Sequence, residues 1–471
     1  MMKKGSIVIS VAILIVIAIS LIMMTGGRKD FSGNILITFV PEDVFSSNSD
    51  PNLYSGSQLA ILDPQDPSGS FQILTDNFFA AMSPQVSYDG KRVLFTGKMS
   101  EEDFWQIFEM DLDNLKPRQI TSRDADCFDP AYLSCCKIVF SSNTSLPNFK
   151  IGAALFTSNL DGTAESQITH HPHYDASSVV LADGKILTLT QSIYPAQNNG
   201  YYMSLRPDGT MAEMFFKGSN RYHLYGRALE TQSGNILLIE STDVDRKGGD
   251  LIKISYARPL HSKENLTGHI KGCFLSISEM NSNTYYVCYR PGANEFTGLY
   301  SYNMSDNSVG EVIYSIPGNH IIEHVAVTVR NQPRQLPSRV DNSLPNGYFL
   351  CMNSNTSYVT QNEGFNSISK IRKVEILGLE KIIGEVEVET DGSFYIEITA
   401  DTPVRFLTKG EDNEVLSGPS SWVWVRPNER RSCIGCHEDR ELVPENVVPL
   451  AINKEPVSLG ATPQQGYSGG H

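Results

Sequence analysis

From residue 31 onward, apolar positions cluster in short runs separated by Gly, Asp, Asn and Ser, and a helical period is almost absent. Runs of this kind predict strands rather than helices. One unit recurs. A short strand ends in the turn Tyr88-Asp89-Gly90-Lys91, and the apolar strand Arg92-Val93-Leu94-Phe95 follows. A third strand runs from Trp105 to Met110, and a fourth ends in Gln119-Ile120-Thr121. The turn returns at Asp183-Gly184 before Ile186-Leu187 and at Ser233-Gly234 before Ile236-Leu237-Leu238, with weaker copies at Ser32-Gly33, Cys135-Cys136 and Ser282-Asn283. The fourth strand is marked again by Gln72-Ile73-Leu74-Thr75 and by Gln167-Ile168-Thr169. Six turns spaced 46 to 57 residues apart, each heading four strands, predict an all-β six-bladed β-propeller over residues 31–335. Ring closure removes the open strand edges that such a repeat would otherwise expose. An array of β-sandwiches is the alternative.

The repeats resemble the periplasmic propeller repeats of the Tol system. Two stretches fall outside them. Lys3 and Lys4 precede an apolar run from Ile7 to Met24, 18 residues broken only by Ser10 and Ser20. That length is at the lower edge of what spans a bilayer, so residues 1–30 are expected to be an N-terminal transmembrane anchor, with a cleaved signal peptide as the second reading. At the other end the repeat lapses at about 336, where Pro333, Pro337 and Pro345 mark a linker. Alternating runs follow at Lys370 to Leu377, Ile383 to Val388, Ser393 to Ile398, Val404 to Leu407 and Trp422 to Val425, with a turn at Asp391-Gly392. They predict a small β-sandwich or barrel within residues 336–455, its last strand leading into a cysteine motif, and then a flexible tail over 456–471.

That motif is Cys433-Ile434-Gly435-Cys436-His437. Two thiols at this spacing reach the two vinyl groups of one porphyrin, and the adjacent imidazole falls beneath the iron, which is the signature of covalent c-type haem. A zinc site would want a second pair of ligands at similar spacing, and the chain has no other Cys-x-x-Cys. A thioredoxin-like pair would want a βαβ setting. In bacteria such haem is attached outside the cytoplasm, which agrees with the N-terminal segment and places the body in the periplasm or at the extracytoplasmic face. The net charge of −15 speaks against nucleic acid and against an anionic membrane surface. Export also permits disulfides: Cys273 with Cys288, or Cys127 with Cys135 or Cys136. The bland reading is that these cysteines are unbridged thiols.

The propeller layout adds a further expectation. His170, His171, His173, His223, His269, His320 and His324 lie on connections between the last strand of one unit and the first of the next. They are therefore expected at one end of the ring, with Asp124, Asp126 and Asp129 in an equivalent loop and Asp175 beside the triple-His run. Imidazoles and carboxylates converging there would suit an additional metal ion such as zinc, or a face turned to the haem. Each alone reads equally as a solvated loop residue. His437 supplies one axial position to the haem iron. No methionine follows Met352, and His471 lies in a Gly/Ser tail, so the sixth position is open, or filled from the funnel or by another protein. Trp422 and Trp424 would cover the porphyrin or pack in the core. Arg426, Arg430, Arg431 and Arg440 would pair with propionates or form a solvated patch. Glu441, four residues after His437, would share its face on a continuing helix.

At this point the sequence resembles one family specifically. Asp391-Gly392-Ser393-Phe394, Ala400-Asp401-Thr402-Pro403-Val404-Arg405-Phe406, Ser421-Trp422, the run Val425 to Glu438 and Pro449-Leu450-Ala451 look like the middle domain of the hydrazine synthase alpha subunit. The resemblance covers about residues 345–455. It implies one c-type haem in a domain thought to bind substrate, while a further C-terminal domain in that family carries a second haem. The present sequence holds a single such motif. The expectation is a membrane-tethered, extracytoplasmic mono-haem redox protein with a redox partner protein and no nucleic-acid role, in which an enzyme would keep the sixth position open for a small molecule. An electron carrier would fill that position with a propeller histidine. A propeller binding protein with a structural haem is the third class.

Overall fold

A computed structural model describes residues 30–47, 53–145, 152–194, 200–218, 223–241, 247–356, 371–435, 441 and 446–460. Residues 31–335 form six four-stranded antiparallel blades, as the repeat predicts. Blade 2 is the pattern in its simplest form: Ala80–Val86, Arg92–Lys98, Gln106–Asp111 and Lys116–Gln119, paired in sequence order. Blades 3 to 6 begin at Cys127, His173, His223 and Cys273. Blades 3 and 4 touch through one parallel pairing, Ala153 with Tyr174. Blade 1 differs. Its inner strand, Asn319–Ala326, comes from the far end of the propeller and pairs antiparallel with Ile35–Pro41. Ser32-Gly33 is therefore not a hairpin turn. It is the point where the ring closes, with Gly33 N donating to Val327 O (2.9 Å) and Val327 N to Asn34 O (2.8 Å).

The Gln-Ile-Thr signature has a physical role. The fourth strand stops early, and the threonine hydroxyl takes over as acceptor for a third-strand N–H. Thr121 Oγ1 accepts from Ile107 N and Thr169 Oγ1 from Leu155 N, both at 2.9 Å. Thr75 does the same for Leu59 and Thr267 for Leu251. The preceding Ile120 and Ile168 are buried between blades. A buried N–H left without an acceptor would cost about 1–3 kcal/mol, which explains why this threonine returns blade after blade.

The second unit consists of two four-stranded sheets. One holds Arg430–Cys433, Asn346–Cys351, Phe394–Thr399 and Val457–Leu459, and the other Ile382–Glu387, Lys373–Leu377, Arg405–Lys409 and Val415–Ser417. Phe349, Ile396 and Ile398 of the first pack against Val374, Ile376 and Val386 of the second in one apolar cluster. Two expectations are corrected here. Trp422 to Val425 is not a strand, because its two tryptophan side chains are drawn to the propeller while Val423 and Val425 pack in their own domain, and only Val423 bridges to Val404. The strand that reaches the cysteine motif is Arg430–Cys433, parallel to Asn346–Cys351. Val457–Leu459 pairs with the Phe394–Thr399 strand, so order extends into the stretch expected to be tail.

The proposed disulfides are not formed. Cys273 and Cys288 sit on neighbouring strands but out of register: Cys273 faces Arg290, and Cys288 faces Ser276. Their thiols point to Lys247 O (3.5 Å) and His324 Nδ1 (3.3 Å). Cys127 opens the strand Cys127–Tyr132, whereas Cys135 and Cys136 lie beyond its other end. Among the described residues no helix is long and apolar enough to cross a membrane. The apolar run 7–24, Cys436, His437, Arg440 and His471 lie outside the described residues.

Candidate functional site

The segment from Trp422 to Cys433 carries the cysteine motif and also fastens its domain to the seam between blades 3 and 4. Trp422 stacks on Tyr194 and donates from Nε1 to Tyr194 O (3.2 Å). Trp424 is 2% exposed and joins a cluster with Leu155 and Ile168 of blade 3 and Tyr201, Met203 and Ala212 of blade 4. Both tryptophans are spent on packing, so neither is left to cover a porphyrin.

Arg426 follows. Its Nε donates to Asp208 O (3.0 Å) and its Nη1 to Asp401 Oδ1 (2.8 Å) and to His170 Nε2. Close approach to the seam needs Gly209: at φ 81° a Cβ there would lie 2.3 Å from Ile168 O. Glu429 holds both sides together, accepting from Met211 N (2.7 Å) of the propeller and Arg426 N (2.8 Å) of its own domain. Arg431 donates to Trp424 O (3.2 Å) and to Ala212 O. Arg426 and Arg431 are thus structural, and Arg430, exposed beside the Tyr348 ring, is the described arginine of this group that faces solvent.

The strand then delivers Cys433, half-buried, at the edge of its sheet and in register with Cys351. Gly435 packs so close to Thr356 O that a Cβ would approach it to 2.3 Å. Past the motif, Glu441 accepts from Leu260 N (2.6 Å) and pairs with Arg258 (3.3 Å), tying the chain to blade 5. The strand Arg430–Cys433 and the Glu441 anchor thus lie on either side of residues 436–440 in the chain. The cysteine edge with an exposed arginine nearby fits a covalently held porphyrin with acidic propionates.

The triple-His run meets this segment. Burial and the adjacent Arg426 push His170 down to about 3, so it is neutral and its Nε2 accepts from the guanidinium. The His170–Asp401 approach of 3.4 Å is therefore not an ion pair, and the charge partner of Asp401 is Arg426. His171 Nε2 lies 2.8 Å from Asp175 Oδ2, and Thr190 Oγ1 donates to Asp175 Oδ1 (2.6 Å). Burial alone would raise the Asp175 carboxyl, but His171 and the hydroxyls of Thr190 and Thr169 hold it low. His171 packs against His173 (4.9 Å between rings) and against Trp424 (5.0 Å). Burial, reinforced by His171, pushes His173 down to about 3. His171 Nδ1, His173 Nδ1 and Trp424 Nε1 are buried polar atoms without a protein partner, and all three lie in this one cluster.

The other funnel histidines are not brought together with these. His320 pairs with Glu42 and stacks on Phe45. His324 packs between blades 1 and 6 against Ser276 and Cys288. His223 opens blade 5, and His269 is an exposed loop residue. Each sits where its own blade starts, and the ring holds the blades apart. Among the described residues no group of three or more His, Cys, Asp or Glu is arranged to hold a metal ion. Asp126 caps Trp105 N (3.0 Å) and Asn143 Nδ2 (3.0 Å), a structural role.

The polar groups that meet in the central channel carry no signal in the sequence. A cavity of about 980 Å³ runs between the inner strands, and the linker at Arg330–Pro333 forms part of its lining. Inner strands bulge into it at Ser83, Asp129 and Ser177, each with φ between 51° and 56°. Arg227 reaches from blade 5 to Asp129 Oδ1 in blade 3 (3.4 Å), and Glu323 accepts from Ser83 N (2.9 Å). Only the bulges place these groups together, and no local sequence signal marks them.

With this geometry in hand, the chain can be set beside known proteins. Residues 351–438 match the family described as the hydrazine synthase alpha subunit middle domain. The hydrazine synthase subunit alpha of Kuenenia stuttgartiensis is 20% identical over 549 aligned positions, covering 88% of this chain and 67% of that protein. The solved Kuenenia stuttgartiensis hydrazine synthase superposes with a TM-score of 0.77 at 18% identity, over 90% of this chain and 71% of that one. TolB from Acinetobacter baumannii gives a TM-score of 0.43 at 14% identity, over 64% of this chain and 69% of that one.

Proposed function

Starting from residues 351–438 as a domain of the hydrazine synthase alpha middle-domain type, we propose that this chain is a mono-haem c-type redox protein. Cys433 and Cys436 would hold the haem through thioethers and His437 would ligate its iron. The observation that carries this is the coincidence of the family match with the whole cysteine motif, on a segment that the fold fixes to the propeller through Trp424, Arg426, Glu429 and Arg431. The haem, once bound, supplies electron transfer and an iron centre for small molecules. The chain's own residues supply rigidity at the seam, a neutral His170 and a buried His171–Asp175 pair that can hold a proton.

The favoured form is a haem enzyme acting on a small molecule, nitrogenous or other, near the seam of propeller and haem domain. It works outside the cytoplasm, tethered through residues 7–24, and draws electrons from a redox partner protein. A funnel histidine as sixth ligand suits the electron-carrier alternative less well. His170 Nε2 is already an acceptor for Arg426, and His171 is paired with Asp175. Absorption and resonance Raman spectra of the haem-loaded chain test this. A five-coordinate iron that binds carbon monoxide supports the enzyme, whereas a low-spin bis-histidine spectrum that turns high-spin when one of these histidines is replaced supports the carrier.

A further inference from the structure

Blade 3 makes its first hairpin turn without the residue that its neighbours use there. In blade 4 the turn reads Leu181-Ala182-Asp183-Gly184-Lys185, closed by Leu181 N donating to Lys185 O (2.9 Å), with Gly184 at φ 87°. Blade 5 places Gly234 at the same position with φ 78°. In blade 3 the turn reads Leu133-Ser134-Cys135-Cys136-Lys137, closed by Leu133 N to Lys137 O (2.8 Å). Cys136 stands where glycine is used elsewhere, and both Cys135 and Cys136 are left-handed, at φ 60° and 64°. Two consecutive side chains in that region are disfavoured by their Cβ atoms, so local folding preference does not account for this pair.

Both thiols are exposed, whereas Cys127, Cys273 and Cys288 of the propeller are buried. The turn also touches the linker to the haem domain. Ser134 Oγ donates to Pro333 O (2.8 Å), and Cys135 Sγ lies 3.2 Å from Gln335 Oε1. Adjacent Cα atoms are about 3.8 Å apart, below the usual disulfide range of about 4.4–6.8 Å, so a bond between these neighbours is strained and readily reduced. Strained, exposed disulfides are the labile kind.

We propose that Cys135 and Cys136 are a redox-active vicinal dithiol. It closes to a disulfide by exchange with an external disulfide and in doing so releases the linker at Gln335. One thiolate attacks the external disulfide and expels a thiol. The second thiolate then attacks the mixed disulfide and expels the other thiol. The protein loses two protons and two electrons, and the external disulfide takes them up to become two thiols.

The test uses the full, haem-loaded chain with glutathione disulfide as oxidant, followed by alkylation and peptide mapping. The expected product is a Cys135–Cys136 peptide lighter by two hydrogens, without adduct, restored by dithiothreitol. Cys135→Ser and Cys136→Ser should each retain a glutathione adduct instead. The double substitution C135D/C136G copies the blade 4 turn; it should fold at least as stably and show no response. Amide exchange over residues 334–336 should quicken on oxidation of the wild type alone. Two alkylated thiols, or a lasting glutathione adduct on the wild type, would overturn the dithiol. Unchanged exchange in a chain shown to be oxidised would overturn the link to the linker.

Discussion

Arg426 of the C-terminal domain donates to the Nε2 of His170 in the propeller while holding Asp401 of its own domain at 2.8 Å. One guanidinium thus bridges a neutral base and a carboxylate at a buried seam. Its removal leaves Asp401 without its charge partner, and burial already raises that carboxyl. Because the Asp401 side chain is 33% exposed, Arg426→Ala should lower unfolding free energy by about 1.5–3 kcal/mol, the range for hydrogen bonds to charged groups. Denaturant titration checks it. Arg426→Lys should recover only part, since a lysine cannot make the forked contact.

The same seam makes stability depend on pH. His170 and His173 are held at about 3 by burial first, then by Arg426 and His171 respectively, against an ordinary value of 6.5. The unfolded chain therefore binds more protons between about pH 3 and 6.5. The stabilisation is complete above that window and drains away as pH falls through it, by up to about 1.4 kcal/mol per unit for each group. Melting curves from pH 8 to 4 should show flat stability at first and a decline below about 6.5. Replacing His170 with Asn should flatten that decline.

Trp424 is the apolar counterpart of Arg426. Trp424→Ala should cost about 3–5 kcal/mol, as for other buried aromatics. Because its cavity opens between domains, limited proteolysis should cut the 328–345 linker faster in the variant. An unchanged cleavage rate would argue that the seam is held elsewhere.

The repeat signature gives a prediction independent of any cofactor. Thr121→Val removes the hydroxyl that accepts from Ile107 N and strands a buried donor. A loss of about 1–3 kcal/mol in chemical denaturation is expected. Thr169→Val should behave alike, since Thr169 serves Leu155 in the same way.

These residues also show what was legible beforehand. Gln-Ile-Thr and the Asp-Gly turns recur because each blade solves the same local hydrogen-bonding problem, so counting them was enough to find six blades. The closing strand Asn319–Ala326 was hidden because its partner lies at the opposite end of the propeller, and no local pattern records that pairing. The seven histidines shared a sequence position in the repeat, which is not a shared place: successive blades carry them apart around the ring. Trp422 and Trp424 alternate like strand residues, yet their rings are claimed by the propeller, and the expected strand gives way to a docking segment. Cys433 sits at a strand end, as a short spaced motif can announce.

The central claim is covalent haem on Cys433 and Cys436. The direct measurement is haem staining after denaturing electrophoresis of the chain made with a haem-maturation system, beside a Cys433→Ala/Cys436→Ala double variant. The account predicts a stained band for the wild type and none for the variant, with the propeller intact in both. A wild-type band without stain, in protein that instead carries stoichiometric zinc, would contradict it.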